Sequence, residues 1–272
     1  MIYREITTHT AFLSSRTEAC TIWNVEREMT ESPSAPDVSQ GAAAPYRPSV
    51  SVVVPALNEQ DTLKHVVEWT ASVLGGVADN FEIIIVDDGS TDETGRIADA
   101  LAAQSSNIKV IHNPRPSGYG GALEAGFRAA DKEVIGLITA DGEFHPTDLP
   151  RFVEAIRDAD IVTSIVPNRP LPFYRKVLSW GWRTCVFLIL GERPTIEGTF
   201  MIRSKLFKSL TMESRSGMYV MEMLIRASRR GARIKVIAID VHPRSDMSRS
   251  KVGNLRTTAT VFGEILALRR RL

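Results

Sequence analysis

Short apolar runs alternate with amphipathic segments from Ser49 onward. Four runs rich in Val and Ile follow one another: SVSVVVP, EIIIVDD, IKVIH and EVIGLITAD. Strands that helices cover on both faces become continuously apolar, and this alternation is typical of a parallel sheet with crossover helices. The pattern predicts an α/β fold with a mostly parallel central sheet, and it predicts helices near 59–74, 92–104, 119–130 and 147–157.

The second half of the chain is less regular. It predicts, in order, a helix near 174–190, a strand near 198–203, a helix near 217–230, a strand near 233–241, a basic loop at 243–251 and a last helix to about 270. In the first half, Ser90 or Thr91 is the expected cap of the second helix, with Asp92 and Glu93 in its first turn.

The first 48 residues differ from the rest in composition. They end in SPSAPDVSQGAAAPYRP, whose Pro, Ser, Gly and Ala bury too little apolar surface to offset the entropy lost on ordering. We predict a flexible leader over 1–48, a main domain over 49–255 with halves 49–158 and 159–255, and a C-terminal helix over 256–272. Translation that begins at Met29, just before this stretch, is a further hypothesis.

The composition of the chain excludes several classes of function and location. The chain has 272 residues, 43% of them hydrophobic, which suffices for one substantial core. Its 33 Lys and Arg face 32 Asp and Glu, so we expect no nucleic-acid partner. Cys20 and Cys185 lie far apart, which favours a reducing, cytoplasmic setting. The chain lacks a signal-peptide pattern and any run of about 18 apolar residues, so we expect a soluble protein or one that lies on a membrane.

Acidic residues follow three of the apolar runs. Their segments are PALNE (55–59), DDGS (87–90) and TADGE (139–143). Each segment alone has a plain interpretation as a turn, in which an Asp caps a helix or Gly89 supplies a positive φ angle. Ligands of open α/β sheets bind beyond the carboxyl ends of the strands, and converging carboxylates repel one another without a cation or a donor-rich ligand. Together the three segments predict a ligand site.

Seven segments resemble the consecutive motifs of glycosyltransferase family 2. They are SVVVPALNE, FEIIIVDDGSTDET, NPRPSGYGGALEAGF, TADGEFHPTDLPRF, EGTFMIRSKLF, MYVMEMLIRASRRG and RSKVG, and they cover nearly all of 50–255. The chain is most similar to the polyprenyl-phosphate branch, the dolichol-phosphate mannose or glucose synthases. The resemblance implies a GT-A fold, with a Rossmann-like nucleotide-binding domain, and a nucleotide diphosphate sugar as donor.

The resemblance also implies a donor pocket. Asp88 is suited to accept a hydrogen bond from a uracil or guanine N–H, and Glu59 from a ribose hydroxyl. Leu57 stands where the family often has Tyr. The implied donor-binding residues, apart from the basic loop, are Pro55, Leu57, Glu59, Val86, Asp88, Ala140 and Asp141.

The metal motif departs from the family pattern. The family commonly carries Asp-x-Asp followed two residues later by Gln, whereas this chain has TADGE at 139–143. One carboxylate is missing at Thr139 and another is present at Glu143. Asp141 and Glu143 are therefore the predicted ligands of Mg²⁺ or Mn²⁺, with diphosphate oxygens and water completing the coordination. The alternative is that Thr139 marks a metal-free or inactive site.

Two further segments are candidates for binding phosphate. The resemblance implies that Lys251, with Arg244 or Arg249, reaches the phosphates of donor or lipid, although a solvated basic loop is the default interpretation. The glycines at 118–121 open a helix, and such a start can present N–H groups to phosphate. These glycines can equally serve to let the helix pack closely on the sheet.

Glu222 lies in an apolar helical stretch and has two interpretations. It is either an ion-pair partner of Arg226, four residues on, or a general base on the acceptor side near Glu197. A polyprenyl phosphate, with a second pKa near 6, arrives ionised and needs no strong base, whereas a hydroxyl acceptor needs one. The predicted catalytic residues are Asp141, Glu222 and Lys251.

The expected function is inverting transfer of a sugar from a nucleotide diphosphate sugar to a polyprenyl phosphate. The alternatives are a soluble hydroxyl acceptor such as a secondary-metabolite or polysaccharide precursor, a nucleotidyltransferase, and a degenerate sugar-nucleotide binding protein. Residues 173–190 mix aromatic and basic side chains, which suits a helix at the inner face of the membrane and suits a core helix almost as well. The sequence leaves the oligomeric state open.

Overall fold

The computed structural model describes residues 46–167, 181, 184, 186–191, 198–240 and 263–270. Its strands are β1 (Ser49–Ala56), β2 (Asn80–Asp87), β3 (Ile108–His112), β4 (Val134–Leu137), β5 (Ile161–Ile165), β6 (Phe200–Arg203) and β7 (Ile234–Ala238). Its α-helices are α1 (Leu63–Val77), α2 (Thr94–Gln104), α3 (Tyr119–Ala129), α4 (Leu149–Ile156), α5 (Ser204–Ser209) and α6 (Met218–Arg229), with a 3₁₀ turn at Pro146–Asp148. Residues 186–190 and 263–270 are also helical.

Several predictions lie outside the described residues. They concern the leader as far as residue 45, most of the helix near 174–190, the basic loop and the start of the C-terminal helix. The individual residues are Cys20, Met29, Cys185, Glu197, Arg244, Arg249 and Lys251.

The strands form one mixed sheet in the order β3-β2-β1-β4-β6-β5-β7. Strand β6 runs antiparallel to β4 and β5, and the other neighbouring pairs are parallel. The predicted α/β fold with a mostly parallel sheet is therefore confirmed. Strand β5 was not predicted, because Thr163 and Ser164 interrupt its apolar pattern, yet both side chains are buried.

Helices cover the sheet on both faces, which explains the apolar runs. In β1, Val52 and Val54 belong to a core cluster with residues of α1, α2 and α4. Val53 belongs to a second cluster with residues of α3, α5 and α6. Alternate side chains of a strand point to opposite faces, so a strand covered on both faces is mostly apolar along its whole length. The pairing of β1 with β2 runs from Ser49 opposite Asn80 to Ala56 opposite Asp87.

Two helices begin later than predicted. Helix α1 begins at Leu63 rather than near residue 59, and α2 begins at Thr94. The N-cap of α2 is Glu93 rather than Ser90 or Thr91, and Ser90 Oγ and Thr91 N instead form hydrogen bonds with Asn58 in the loop after β1. Hydrogen bonds between these loops hold the residues before α1 and α2 in loop conformations, so both helices begin later in the chain.

Gly126 allows α3 to approach the sheet closely. A Cβ atom there would lie 2.3 Å from Val53 Cγ1 and 3.0 Å from Val86 Cγ2. We expect Gly126→Ala to lower the free energy of unfolding by roughly 1–3 kcal/mol in urea titrations, because overpacking strains a close-packed core. Gly76→Ala is the control, since nothing lies within 4 Å of a Cβ at this exposed helical position. It should raise stability by up to about 1 kcal/mol. Unchanged stability of Gly126→Ala would contradict this close approach.

Candidate active site

The loops after β1 and β2 are joined by hydrogen bonds at the carboxyl edge of the sheet. Asn58 has a φ of 55°, a left-handed conformation that Asn tolerates better than most residues. Its backbone N–H donates to Ser90 Oγ at 3.0 Å, and its Oδ1 accepts from Thr91 N at 2.8 Å. The backbone N–H of Glu59 donates to Thr94 Oγ1 at 2.8 Å. Two of the predicted acidic segments are thereby fixed next to each other.

Asp88 organises the segment between β3 and α3. Its buried carboxylate accepts three hydrogen bonds at Oδ1, from Asn113 Nδ2 at 2.8 Å, Ser117 N at 2.8 Å and Ser117 Oγ at 2.6 Å. Its Oδ2 accepts from Gly118 N at 3.1 Å. A nucleobase N–H would have to share the carboxylate with these four donors. The contact of Asp88 with the base stays a prediction.

Asp87 forms an ion-paired cluster with the end of β3. Its Oδ1 accepts from Ser90 N at 3.0 Å, and its Oδ2 lies 3.0 Å from Nδ1 of His112. His112 Nε2 lies 3.0 Å from Oδ1 of Asp99. Burial alone would raise the pKa of Asp87, but the hydrogen bonds from Ser90 and His112 lower it. Hydrogen bonds to Asp99 and Asp87 raise the pKa of His112.

This cluster predicts a pH-dependent stability. The pKa of His112 is raised by folding, so its protonated ring stabilises the folded state. This contribution to stability is complete below the ordinary pKa of 6.5 and is lost as the pH rises through the pKa of the folded protein. Because the pKa of Asp87 is lowered, the contribution of its carboxylate to stability is present above the ordinary pKa of 3.8 and is lost as the pH falls through the lower pKa of the folded protein. We expect His112→Gln to lower the melting temperature more at pH 6 than at pH 9. The same change at His65, an exposed histidine of α1, should show no such difference. An equal fall in the melting temperature at both pH values would mean that the ion pairs of His112 do not stabilise the protein.

The third acidic segment follows β4. Asp141 Oδ1 accepts from Thr139 Oγ1 at 2.7 Å and from Glu143 N at 3.1 Å. Thr139 therefore orients the Asp141 carboxylate from the position at which the family commonly has a further Asp.

The donor atoms at this edge suit a hard cation that arrives with its substrate. Asp141 and Glu143 carry carboxylate oxygens, the ligand type that Mg²⁺ and Mn²⁺ prefer, and the Glu143 side chain is largely buried. Among the residues that the structure describes, no group of three His, Cys, Asp or Glu is arranged to hold a metal ion. Two carboxylates alone form an incomplete site, so diphosphate oxygens and water would have to complete the coordination.

Contacts with two neighbouring segments anchor the loop after β4. The Trp69 ring of α1 lies 4.7 Å from the ring of His145, measured between centroids. Gly198 has a φ of 109°, and a Cβ atom there would lie 2.2 Å from the Phe144 ring. These contacts place the loop that carries Asp141 and Glu143 against α1 and against the segment that leads into β6.

Two of the predicted donor-binding side chains lie inside the core. Val86 is fully buried in the cluster beneath α3, and Ala140 is 1% exposed in the cluster beneath α1. The role of Val86 and Ala140 in donor binding stays a prediction, because both side chains pack inward rather than at the exposed edge of the sheet. Pro55, Leu57 and Glu59 are partly exposed at the edge of the sheet.

The start of α3 does not offer its first glycine amides to a ligand. Gly118 N donates to Asp88, and Gly120 N donates to the carbonyl oxygen of Arg215 at 3.0 Å. A Cβ atom at Gly120 would lie 2.6 Å from the carbonyl carbon of Arg215. The predicted phosphate contact is therefore not supported at these two amides. Gly118 and Gly120 allow close packing, but against residues 215–216 rather than against the sheet.

Glu222 is completely buried, and each of its carboxylate oxygens accepts hydrogen bonds. One oxygen, Oε1, lies 2.7 Å from Arg226 Nε, and the other, Oε2, accepts from Ser214 N at 2.8 Å. The backbone N–H of Glu213 lies 3.2 Å from Oε2. The predicted ion pair with Arg226 is present, although it is buried rather than at the surface. A carboxylate that already accepts from these donors is poorly placed to take a proton from a substrate.

Four residues at or near this edge had not been singled out from the sequence. The role of Asn58 could have been predicted from the sequence, since Asn just after a strand is a common left-handed turn residue. The other three are Asn113, Ser117 and Glu264, whose contacts come from segments distant along the chain. No local pattern identifies them.

Comparisons with known proteins agree with this arrangement. Residues 51–225 match the family model of glycosyl transferase family 2. The undecaprenyl-phosphate mannosyltransferase of Micrococcus luteus is 31% identical over 231 residues, which are 79% of this chain and 93% of that protein. The glycosyltransferase AglD of Haloferax volcanii is 33% identical over 229 residues, 80% of this chain, and the matched part spans only 36% of AglD.

A solved structure shares the fold. The glucosyl-3-phosphoglycerate synthase of Mycobacterium tuberculosis, crystallised with uridine diphosphate, superposes with a TM-score of 0.63 over 82% of this chain and 80% of that one, at 22% identity. Another crystal structure of that enzyme contains Mn²⁺, uridine diphosphate and phosphoglyceric acid. The GT-A fold predicted from the motifs is thereby confirmed. The chain belongs to glycosyltransferase family 2 and is a glycosyltransferase.

Proposed function

We propose that this enzyme transfers a sugar, with inversion, from a nucleotide diphosphate sugar to a polyprenyl phosphate. The observation that carries the proposal is the similarity to the undecaprenyl-phosphate mannosyltransferase of Micrococcus luteus, which extends over 93% of that protein. The dolichol-phosphate mannosyltransferase of Pyrococcus furiosus, 29% identical over 65% of this chain, points to the same class of acceptor.

In this proposal the two halves of the domain have separate tasks. Residues 49–158 bind the donor and residues 159–255 bind the acceptor. Pro55, Leu57 and Glu59 line the nucleoside part of the donor site from the partly exposed edge of the sheet. Asp88 fixes the segment at 113–118 beside them and is the proposed contact of the base.

The reaction is one displacement at the anomeric carbon. A phosphate oxygen of the acceptor forms the new bond to that carbon, the bond from carbon to diphosphate oxygen breaks, and the nucleoside diphosphate leaves. Asp141 and Glu143 would hold Mg²⁺ or Mn²⁺, which when bound neutralises charge on the diphosphate. Lys251, with Arg244 or Arg249, is the proposed cationic partner of the phosphates.

The state of Glu222 supports an acceptor that is already ionised. Its oxygens are engaged with Arg226 and with the backbone of residues 213–214, so it is not placed to act as a base. A phosphate acceptor needs no strong base, because its second pKa lies near 6. A hydroxyl acceptor is the alternative, and Glu197 would then be the candidate base.

No helix within the described part of the chain is both long and apolar enough to cross a membrane. We place the enzyme in the cytoplasm, in peripheral contact with the inner face of the membrane, where a polyprenyl phosphate presents its headgroup.

Donor binding is tested by thermal unfolding with UDP-, GDP- and dTDP-sugars in the presence and absence of Mn²⁺. One nucleotide should stabilise the protein, by about 2.7 kcal/mol at a concentration 100 times its dissociation constant, and more strongly with the metal present. An unchanged unfolding temperature with every nucleotide would contradict a nucleotide sugar donor.

A further inference from the structure

We propose that Glu264 is a positioning residue of the donor site, which it reaches through residues 213–217, here called the bridge loop. Glu264 lies on the helical segment 263–270, beyond the part of the chain that the family model matches. The inference rests on the proposed nucleotide sugar donor and extends it to a residue of the C-terminal segment.

Glu264 holds the middle of the bridge loop with both carboxylate oxygens. Its Oε1 accepts from Arg215 N at 3.2 Å, and its Oε2 accepts from Ser216 Oγ at 2.5 Å. Ser216 Oγ in turn accepts from Met218 N at 3.1 Å, at the first residue of α6. One carboxylate therefore fixes the loop and the beginning of the helix that follows it.

The same loop touches the donor side. The carbonyl oxygen of Arg215 accepts from Gly120 N at 3.0 Å, and a Cβ atom at Gly118 would lie 3.1 Å from this oxygen. Gly118 N donates to Asp88. A continuous chain of contacts thus runs from Glu264 through Arg215 and the start of α3 to Asp88, the proposed contact of the base.

Two carboxylates hold the bridge loop by hydrogen bonds. Glu222 holds its first residues from the side of α6, and Glu264 holds its middle from the side of segment 263–270. A partly open cleft of about 70 Å³ adjoins the loop and is lined by Glu222, Glu264 and Arg226. Because this cleft borders the loop, the loss of one carboxylate leaves room for the loop to shift.

Glu264 can be removed without removing the apolar contacts of its helix. Ile265 and Leu268 of the same segment are buried in a cluster with Met218 and Ile225. Glu264 itself is only partly buried. We therefore expect Glu264→Ala to leave the protein folded, while the bridge loop and the start of α3 lose their fixed position.

The experiment compares Glu264→Ala, Glu264→Gln and the control Glu154→Ala in the full chain. Glu154 is an exposed residue of α4 whose carboxylate lies 3.7 Å from an Arg157 nitrogen. The readouts are the affinity for nucleoside diphosphate by calorimetry, kcat and KM for the donor, and urea unfolding. Glu264→Ala should weaken nucleotide binding and raise the donor KM by roughly ten-fold, with a smaller change in kcat, because hydrogen bonds to a charged group are lost.

Glu264→Gln should recover part of the affinity, because its amide oxygen still accepts from Arg215 N, and Glu154→Ala should match the wild type. Wild-type protein that binds no nucleoside diphosphate would overturn the proposed donor and this inference with it. Wild-type binding with unchanged affinity and KM in Glu264→Ala would overturn the inference alone. Loss of folding in Glu264→Ala together with wild-type affinity in Glu264→Gln would also overturn it, since the role would then be structural.

Discussion

Replacing Asp141 with Asn should lower metal-stimulated turnover by about 10²–10³-fold, the typical loss when one group that stabilises developing charge is removed. The amide has no negative charge with which to bind a divalent cation. It can still accept from Thr139 Oγ1 and Glu143 N, which donate to Asp141 in the wild type, so the loop should keep its shape. Turnover at saturating donor is measured as a function of Mn²⁺ concentration.

The control for Asp141 is Asp158→Asn. Asp158 is exposed, and its carboxylate lies 3.7 Å from Lys235 Nζ. It should retain the wild-type rate and the wild-type response to Mn²⁺. Equal rates for wild type, Asp141→Asn and Asp158→Asn would show that Asp141 does not bind the metal. They would favour the alternative in which Thr139 marks a metal-free site.

Replacing Glu222 with Ala should lower the free energy of unfolding by about 3–5 kcal/mol, since a buried ion pair is broken and Arg226 keeps only the Glu213 carboxylate, 3.2 Å away, as its counter-charge. The change removes the partner of Arg226 Nε and the acceptor of Ser214 N. At roughly 2–4 °C per kcal/mol for a domain of this size, the melting temperature should fall by about 10 °C. Urea and thermal unfolding measure both quantities.

The control for Glu222 is Glu68→Ala on α1, where Glu68 lies 3.9 Å from Lys64 and both side chains are exposed. An exposed pair of this kind contributes at most about 1 kcal/mol. A loss for Glu222→Ala as small as that for Glu68→Ala would contradict the buried pair. With a polyprenyl phosphate acceptor, Glu222→Gln should also retain most of its rate, whereas loss of a general base typically costs about 10²–10⁴-fold.

The parts of the fold that were predicted correctly depend on local pattern. Strands β1, β2 and β4 were found because both of their faces are covered, which makes their sequences continuously apolar. Helix α6 was found within a residue of its ends because its buried positions recur with the helical period. Strand β5 was missed, since its buried Thr163 and Ser164 look polar when only the sequence is considered.

The parts of the site that were missed depend on contacts between distant segments. The motif around Asp88 predicted its place at the sheet edge, but not the donors at residues 113 to 118 that occupy it. Glu222 had two interpretations from the sequence, and the contact with residues 213–214 favours its role as an ion-pair partner. Glu264 lies 49 residues from Arg215 along the chain, so no spacing rule connects them.

The most direct measurement of the central claim is transfer of labelled sugar by the purified full chain. UDP-, GDP- and dTDP-sugars are each supplied with Mn²⁺ and with either a polyprenyl phosphate or the corresponding polyprenol. The account predicts a lipid-linked product from one donor class, formed with the phosphate acceptor and not with the alcohol, and reduced when the metal is chelated. Transfer to the alcohol or to a soluble hydroxyl, with none to the phosphate, would contradict it.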